Sequence, residues 1–508
     1  MYAKTYGATT MGVDGLLITV EVDCANGLPA FDIVGLPDTA VRESKERVRT
    51  AIKNAGIALK QEKVTINLAP ADVRKDSSGL DLPIAMGLLA AYGIVAEERM
   101  EHALFAAELS LEGKLRSIRG ILPMTVNARQ MGFRKIFVAS GNANEALLVD
   151  GIEVYAVDTL SELVDGLLGK QLLRPAEPAM AVEDEKPEFT DDFADVQGQF
   201  LAKRALEIAA AGGHNVLMIG VPGAGKTMLA RRMSSILPPM GQEEKLEVTK
   251  IYSVAGLLKG GGLIHERPFR SPHHTTSMTA MIGGGSVPRP GEVTLAHNGV
   301  LFLDELPEFG KKSLEVLREP IEDRRITISR AHGSISFPSS FMLITAANPC
   351  PCGYFGSSDR ACECSPYEIK RYNQKISGPL LDRIDIHIHV PQVKYEEISS
   401  KKRAESSAQI RQRVIAARER QLKRLQKYHL FCNAQMNHAM LQKLCVLEPQ
   451  AQRLLEQAFR KMNLSARSYD RIVKVARTIA DLAGAEHISA VHIAEAVQLR
   501  DAQCAGGE

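Results

Sequence analysis

The chain has 508 residues, 45% of them hydrophobic, and a formal net charge of +2. That length predicts two to four domains with substantial apolar cores, while a near-neutral balance singles out no partner. No run of about 18 apolar residues is present, which excludes a membrane-spanning helix. Met1 to Gly7 carry no apolar signal core, and eight cysteines over this length do not make a disulfide framework, so a reducing, cytoplasmic setting is expected.

Residues 1–172 read as a mixed α/β domain. Leu17 to Val22 alternates as a strand, Val41 to Ala55 is helix-like, Val64 to Leu68 is again strand-like, and Leu82 to Ala91 is an apolar helix. Residues 173–194 form the expected linker, with Pro175, Glu177 and Pro178 followed by Glu183, Asp184, Glu185 and Pro187. Residues 195–395 are the predicted core, and residues 396–508 a helical region. Within that region Leu441 and Leu444, then Ala451, Leu454, Leu455, Ala458 and Phe459, then Ile472, Val475, Ala476 and Ile479, recur at helical spacing.

The core opens with a short apolar strand, Asn215 to Ile219, and then Gly220-Val221-Pro222-Gly223-Ala224-Gly225-Lys226-Thr227. This fits the phosphate-binding pattern G-x-x-x-x-G-K-[ST], and a helix start follows from Met228. Glycines let successive backbone N–H groups turn inward around a phosphate, and the helix N-terminus adds its positive end. Lys226 is placed to reach the β- and γ-phosphates of ATP, and Thr227 to ligate Mg²⁺. Further on, Gly299 to Leu303 is an apolar strand ending in Asp304, which suits the Mg²⁺ shell, and Glu305, which suits polarisation of the attacking water. Phe341 to Ala347 is another such strand and ends in Asn348. Arg383, in Leu380-Leu381-Asp382-Arg383-Ile384-Asp385, and Arg467, in Ser465-Ala466-Arg467-Ser468, are cations of the kind that neutralise charge developing on a γ-phosphate.

This order of motifs resembles the AAA+ ATPases, in particular their magnesium-chelatase and MCM-like branch. The resemblance implies that Asn348 is sensor 1, Arg383 an arginine finger acting on a neighbouring subunit's ATP, and Arg467 sensor 2. It also implies a homo-hexameric ring, with Asp195 to Gln199 near the adenine. In the N-terminal region, Phe31 to Asp38, Asn67 to Asp72 and Ser78 to Ala85 resemble the Lon-protease-like domain that heads the ComM/YifB family. The full match spans nearly the whole chain. It implies an α/β fold class built from a Lon-protease-like α+β domain, an AAA+ P-loop core with a parallel sheet, and an α-helical lid. The implied activity is a DNA helicase driving ATP-dependent branch migration on single-stranded and branched DNA, during homologous recombination in natural transformation. The rival expectation is a chelatase-type motor that remodels a protein partner for metal insertion.

Proteolysis is not expected of the first domain. Gly79 stands where the Lon pattern has its nucleophilic serine, and Leu122 where it has the activating lysine. DNA contact or ring assembly is the expected role. Within the core, the segment from Pro268 to Ser286, with three consecutive glycines, reads as a mobile loop. Arg324 to Phe337 reads as a β-hairpin with Gly333 near its turn. Their placement resembles the helix-2 insert and pre-sensor-1 hairpin of this branch, which point into the ring pore. Arg330 and His332 are then candidates for the DNA backbone; a surface hairpin with solvated charges is the other reading.

Cys350, Cys352, Cys362 and Cys364 lie within fifteen residues, and four thiolates suit a tetrahedral Zn²⁺. Their C-x-C spacing is tighter than the usual C-x₂-C, and reduced thiols in a loop are the alternative. His273 and His274 are expected in solvent, with metal ligation as their alternative. The basic stretch from Lys401 to Lys427 fits either nucleic-acid contact or a solvated helix face.

Overall fold

The computed structural model describes residues 1–60, 62–75, 77–177, 191–285, 288–330, 333–357, 360–392, 404–462 and 464–500. The acidic part of the predicted linker, Glu183 to Pro187, lies outside the described residues, as do His332 and Lys401 to Arg403.

The N-terminal region carries two main sheets. In the first the order is Tyr2–Met11, Asp14–Ala25, Lys63–Ala69 and Ala30–Val34; the first three strands run antiparallel and the last lies parallel to Lys63–Ala69. The second is parallel, with Lys135–Ala139 between Ala103–Ala106 and Glu153–Val157. The helix Asp81–Ala91 is apolar on every side and is buried almost throughout, with Leu82, Ile84, Leu88 and Leu89 sharing one core with Ile18, Val20, Val22 and Phe105. The amphipathic helix Thr39–Asn54 covers the same core with Val41, Val48 and Ile52; Asp38 caps it by accepting the Ala40 N–H.

The second region is built on a five-stranded parallel sheet in the order Phe269–Arg270, Val300–Leu303, Met342–Ala347, Val216–Ile219 and Ile386–His389. Its three central strands are mostly apolar runs because both faces are covered. Val216, Met218, Phe302 and Ile344 enter one core, and their neighbours Leu217, Ile219, Leu301 and Leu343 enter another. The first core continues without a break into the C-terminal helices Ser407–Leu425, Pro449–Lys461, Ala466–Leu482 and Ala490–Gln498. The second is closed by Ile326, Ile328 and Phe337 of the hairpin Arg325–Arg330 and Gly333–Pro338.

In the basic stretch of the tail, five arginines have partners within the protein, though Arg413 and Arg420 remain exposed on the helix face. Arg411 donates to the Leu237 carbonyl, Arg418 to Ala210, and Arg420 to Asp481. Arg413 pairs with Glu207 and Glu405, and Arg424 with Asp481. These cations dock the helix Ser407–Leu425 onto the core and the neighbouring helix.

Among the described residues, the two regions touch at the helix Gln242–Ala255 and at the hairpin. The Glu145 carboxylate accepts the Leu122 N–H at 2.9 Å and the Ser253 hydroxyl, joining the first region to the helix Gln242–Ala255. Val13, in the tight turn between the first two strands, packs on the hairpin's core, and a Cβ at Gly12 would sit 3.0 Å from Ile335. Among the described residues, no helix is long and apolar enough to cross a membrane.

Candidate functional site

In a parallel α/β sheet, ligands bind outside the carboxyl ends of the strands. Three adjacent strands, Val300–Leu303, Met342–Ala347 and Val216–Ile219, end here in Asp304, Asn348 and the loop from Gly220, so register alone brings these residues together. The loop needs its glycines. A Cβ at Gly220 would fall 2.2 Å from the Val390 carbonyl oxygen, and Gly223 and Gly225 have φ of +80° and +90°. Nothing lies within 4 Å of a Cβ built at Gly223, so the loop's outer side is open. Gln199, itself at φ +53°, braces the loop by donating to the Ala224 and Pro391 carbonyls.

Lys226 begins the helix Lys226–Arg231 and is 8% exposed. Its ammonium donates to the carbonyls of Gly220 at 2.6 Å and Val221 at 3.0 Å, and to Asn348 Oδ1 at 3.1 Å. Burial pulls its pKa below the ordinary lysine range, and the charges of Asp304 and Glu305 oppose that. A buried cation held only by neutral oxygens beside an open glycine loop suits a phosphate. Thr227 Oγ1 donates to Asp304 Oδ2 at 2.6 Å. A hydroxyl and a carboxylate in contact beside the phosphate position are an oxygen donor set that suits Mg²⁺.

Glu305 has a left-handed backbone, φ +51°, and its N–H donates to Asp304 Oδ1 at 3.0 Å. That conformation leaves its carboxylate exposed, 3.7 Å from His274 Nδ1. The His274 ring lies 4.0 Å from that of His273 and meets Phe309 edge-on. His274 is therefore a neighbour of Glu305, which sequence spacing did not reveal, because the loop carrying it is some thirty residues upstream.

The two arginines lie apart from this group, around Asp382. Arg383 is buried, donating to Glu322 and to the Pro379 carbonyl, both at 2.8 Å. Arg467 is exposed, with a guanidinium nitrogen 3.9 Å from Asp382 Oδ2. Ser465, Ser468 and Arg500 also donate to Asp382, and Arg471 pairs with Asp385 at 2.6 Å. The segment Asp382 to Asp385 is thus tied to the helix Ala466–Leu482 and to the end of Ala490–Gln498.

At the hairpin, Arg330 pairs in register with Gly333 at the tip; its side chain and His332 lie outside what is described. The four cysteines converge. Cys350 Sγ lies 3.3 Å from Cys352 Sγ and 3.7 Å from Cys362 Sγ, Cys352 and Cys362 are 3.6 Å apart, and all four sulfurs lie within 4.8 Å of one another. Zn–S bonds of about 2.3 Å in a tetrahedron place sulfurs about 3.8 Å apart, so the donor set fits Zn²⁺.

Three family models match the chain: "Magnesium chelatase, subunit ChlI" over residues 192–398, "Subunit ChlI of Mg-chelatase" over 20–142, and "Magnesium chelatase, subunit ChlI C-terminal" over 404–500. The chain is 45% identical over 501 residues to the uncharacterized protein YifB of Salmonella typhimurium, covering 98% of this chain and 97% of that protein. It is 44% identical over 507 residues to the competence protein ComM of Haemophilus influenzae, again covering 98% and 97%. A shorter match, 28% over 168 residues and 30% of each chain, is to Lon protease 2 of Bacillus subtilis.

Proposed function

The chain belongs to the ComM/YifB family of magnesium-chelatase-like AAA+ ATPases, and we propose that it is a DNA motor driving branch migration in recombination during natural transformation. The observation that carries the ATPase half is the meeting of Lys226, Thr227, Asp304 and Asn348 at three adjacent strand ends. The DNA half rests on the 44% identity to a protein named for competence.

In this reading the backbone from Gly220 to Gly225 and the Lys226 ammonium bind the β- and γ-phosphates of ATP. Thr227 and Asp304 hold Mg²⁺, which when bound neutralises charge on the phosphate oxygens. Asn348, fixed by Lys226, orients water beside the γ-phosphate, and Glu305 accepts its proton. Arg383 and Arg467 are gathered around Asp382; Arg467, as sensor 2, couples nucleotide state to the lid, and Arg383 serves a neighbouring subunit's ATP within a homo-hexamer. Arg383 must first leave Glu322 to do so. The ties from Asp382 and Asp385 to the C-terminal helices make the lid and the arginine finger move together. Arg330 and His332 touch the DNA backbone at the pore, and Cys350, Cys352, Cys362 and Cys364 hold Zn²⁺.

ATP-driven migration of a labelled three-strand or four-way junction tests the reading, with Glu305→Gln as control. Movement by the wild type alone supports it. ATP hydrolysis that DNA leaves unchanged, on a junction that never moves, overturns the DNA motor. That outcome would favour the second reading, a motor that remodels a protein partner for metal insertion, which the magnesium-chelatase family models support.

A further inference from the structure

We infer that the four-cysteine metal site is a clamp on the phosphate loop, so that metal occupancy sets how tightly the chain holds nucleotide. This deepens the zinc reading above and rests on it.

The clamp has two points of attachment. The first is covalent: Cys350 follows two residues after Asn348, whose side-chain oxygen accepts the Lys226 ammonium at 3.1 Å. Two residues span at most about 7 Å, so a fixed Cys350 leaves Asn348 little freedom. The second is steric. Gly353, next after Cys352, turns at φ +86°, and a Cβ there would lie 2.6 Å from Pro222 Cγ and 2.7 Å from its Cδ. The turn that carries two of the thiolates is therefore seated directly on the phosphate loop.

The surroundings point to a metal rather than to idle thiols. The Phe355 N–H donates to Cys350 Sγ at 3.3 Å and the Cys352 N–H to Cys364 Sγ at 3.4 Å, contacts that stabilise thiolates and orient metal ligands. Sulfurs 3.3–3.7 Å apart are too far for a disulfide, whose bond is about 2.05 Å. Among its described residues the loop has little apolar core: Cys350 is buried, but Phe355 is 51% exposed, and the Tyr354 ring lies against the exposed Arg360. A loop so poor in apolar contacts gains its order from metal ligation.

The full-length protein, purified without chelator, is expected to carry one zinc per chain. A cobalt-substituted sample should show thiolate-to-metal charge transfer and tetrahedral d–d bands. Stripping zinc with a mercurial reagent that is then quenched by thiol should weaken binding of a fluorescent ATP analogue by about tenfold or more, restored by added Zn²⁺. Far-UV circular dichroism should stay nearly constant, which separates a clamp from a metal needed for folding. Gly353→Val should keep one zinc and still lose nucleotide affinity, and Pro222→Ala in the same chain should recover part of it. Absence of zinc, or zinc removal that leaves nucleotide affinity unchanged, overturns the proposal. Neither readout involves DNA, so a failed junction assay bears on the motor reading alone.

Discussion

Lys226 and Lys75 are both buried lysines beside a glycine-bearing turn, and burial pulls both below the ordinary lysine range. Their surroundings differ. Lys226 faces Asn348, two backbone carbonyls and the nearby charges of Asp304 and Glu305, at strand ends open to solvent. Lys75 is wholly buried and donates to the Pro70 carbonyl. Ahead of it a Cβ at Gly79 would meet Ile118 Cδ1 at 2.5 Å, Ser77 is spent on the Gly79 N–H and Ser78 on Glu108. Leu122 is buried within its helix. A buried ammonium is chemically useful where a ligand anion can reach it; Lys75, with the Asp72 charge nearby, instead ties backbone together through the Pro70 carbonyl.

The sharpest test of this contrast is Arg383→Ala, which should lower ATP turnover by about 10³-fold if the open site is completed by a neighbour. Mixing Arg383→Ala with Lys226→Ala subunits should then recover part of the activity, because some interfaces receive both intact residues. Recovery that never comes would break the shared-site model. Next, Glu305→Gln should reduce phosphate release by about 10³-fold while leaving nucleotide affinity within about twofold. A matching loss in Lys75→Met would sink the comparison.

Acid should damage the ATPase region first. His387 lies on the sheet strand beside the phosphate-loop strand, and burial, aided by Arg500, holds its pKa at about 4. The unfolded chain binds this proton below about 6.5 and the folded chain only below about 4. The unfolded state therefore holds more protons in that window, and stability falls as pH drops through it, by at most about 3 kcal/mol. His387→Gln should flatten that part of the wild-type curve measured by denaturant unfolding. Smallest is Lys75→Met, which leaves one carbonyl unpaired. It should cost the N-terminal region about 1–2 kcal/mol, leave ATP turnover unchanged, and reveal no casein hydrolysis in either form.

Much was legible along the chain. The strands Lys63–Ala69 and Val216–Ile219, the helices Thr39–Asn54 and Asp81–Ala91, and the phosphate loop all lie where periodicity and glycine spacing put them. The parallel strands Lys135–Ala139 and Glu153–Val157 escaped notice, because short apolar runs lack a period that separates strand from buried helix. The partners of the basic tail were not legible for another reason. Charge density is a local property, but whether Arg418 meets water, phosphate or the Ala210 carbonyl depends on a partner some two hundred residues away.

The same division holds at the site. Local chemistry determined by itself that Gly220 to Thr227 makes a glycine turn between strand and helix, of the form that suits a phosphate, that Asp304, Glu305 and Asn348 end strands, and that four thiols lie close along the chain. A turn's φ requirement and a strand's alternation act over a few residues, so neighbouring side chains suffice to announce them. Tertiary structure alone decided that Lys226 is held by Asn348, that His274 stands beside Glu305, that Arg383 is paired with Glu322, and that Gly353 rests on Pro222. These contacts follow from sheet order and from which loops meet above it, and packing sets both across separations that no local pattern records.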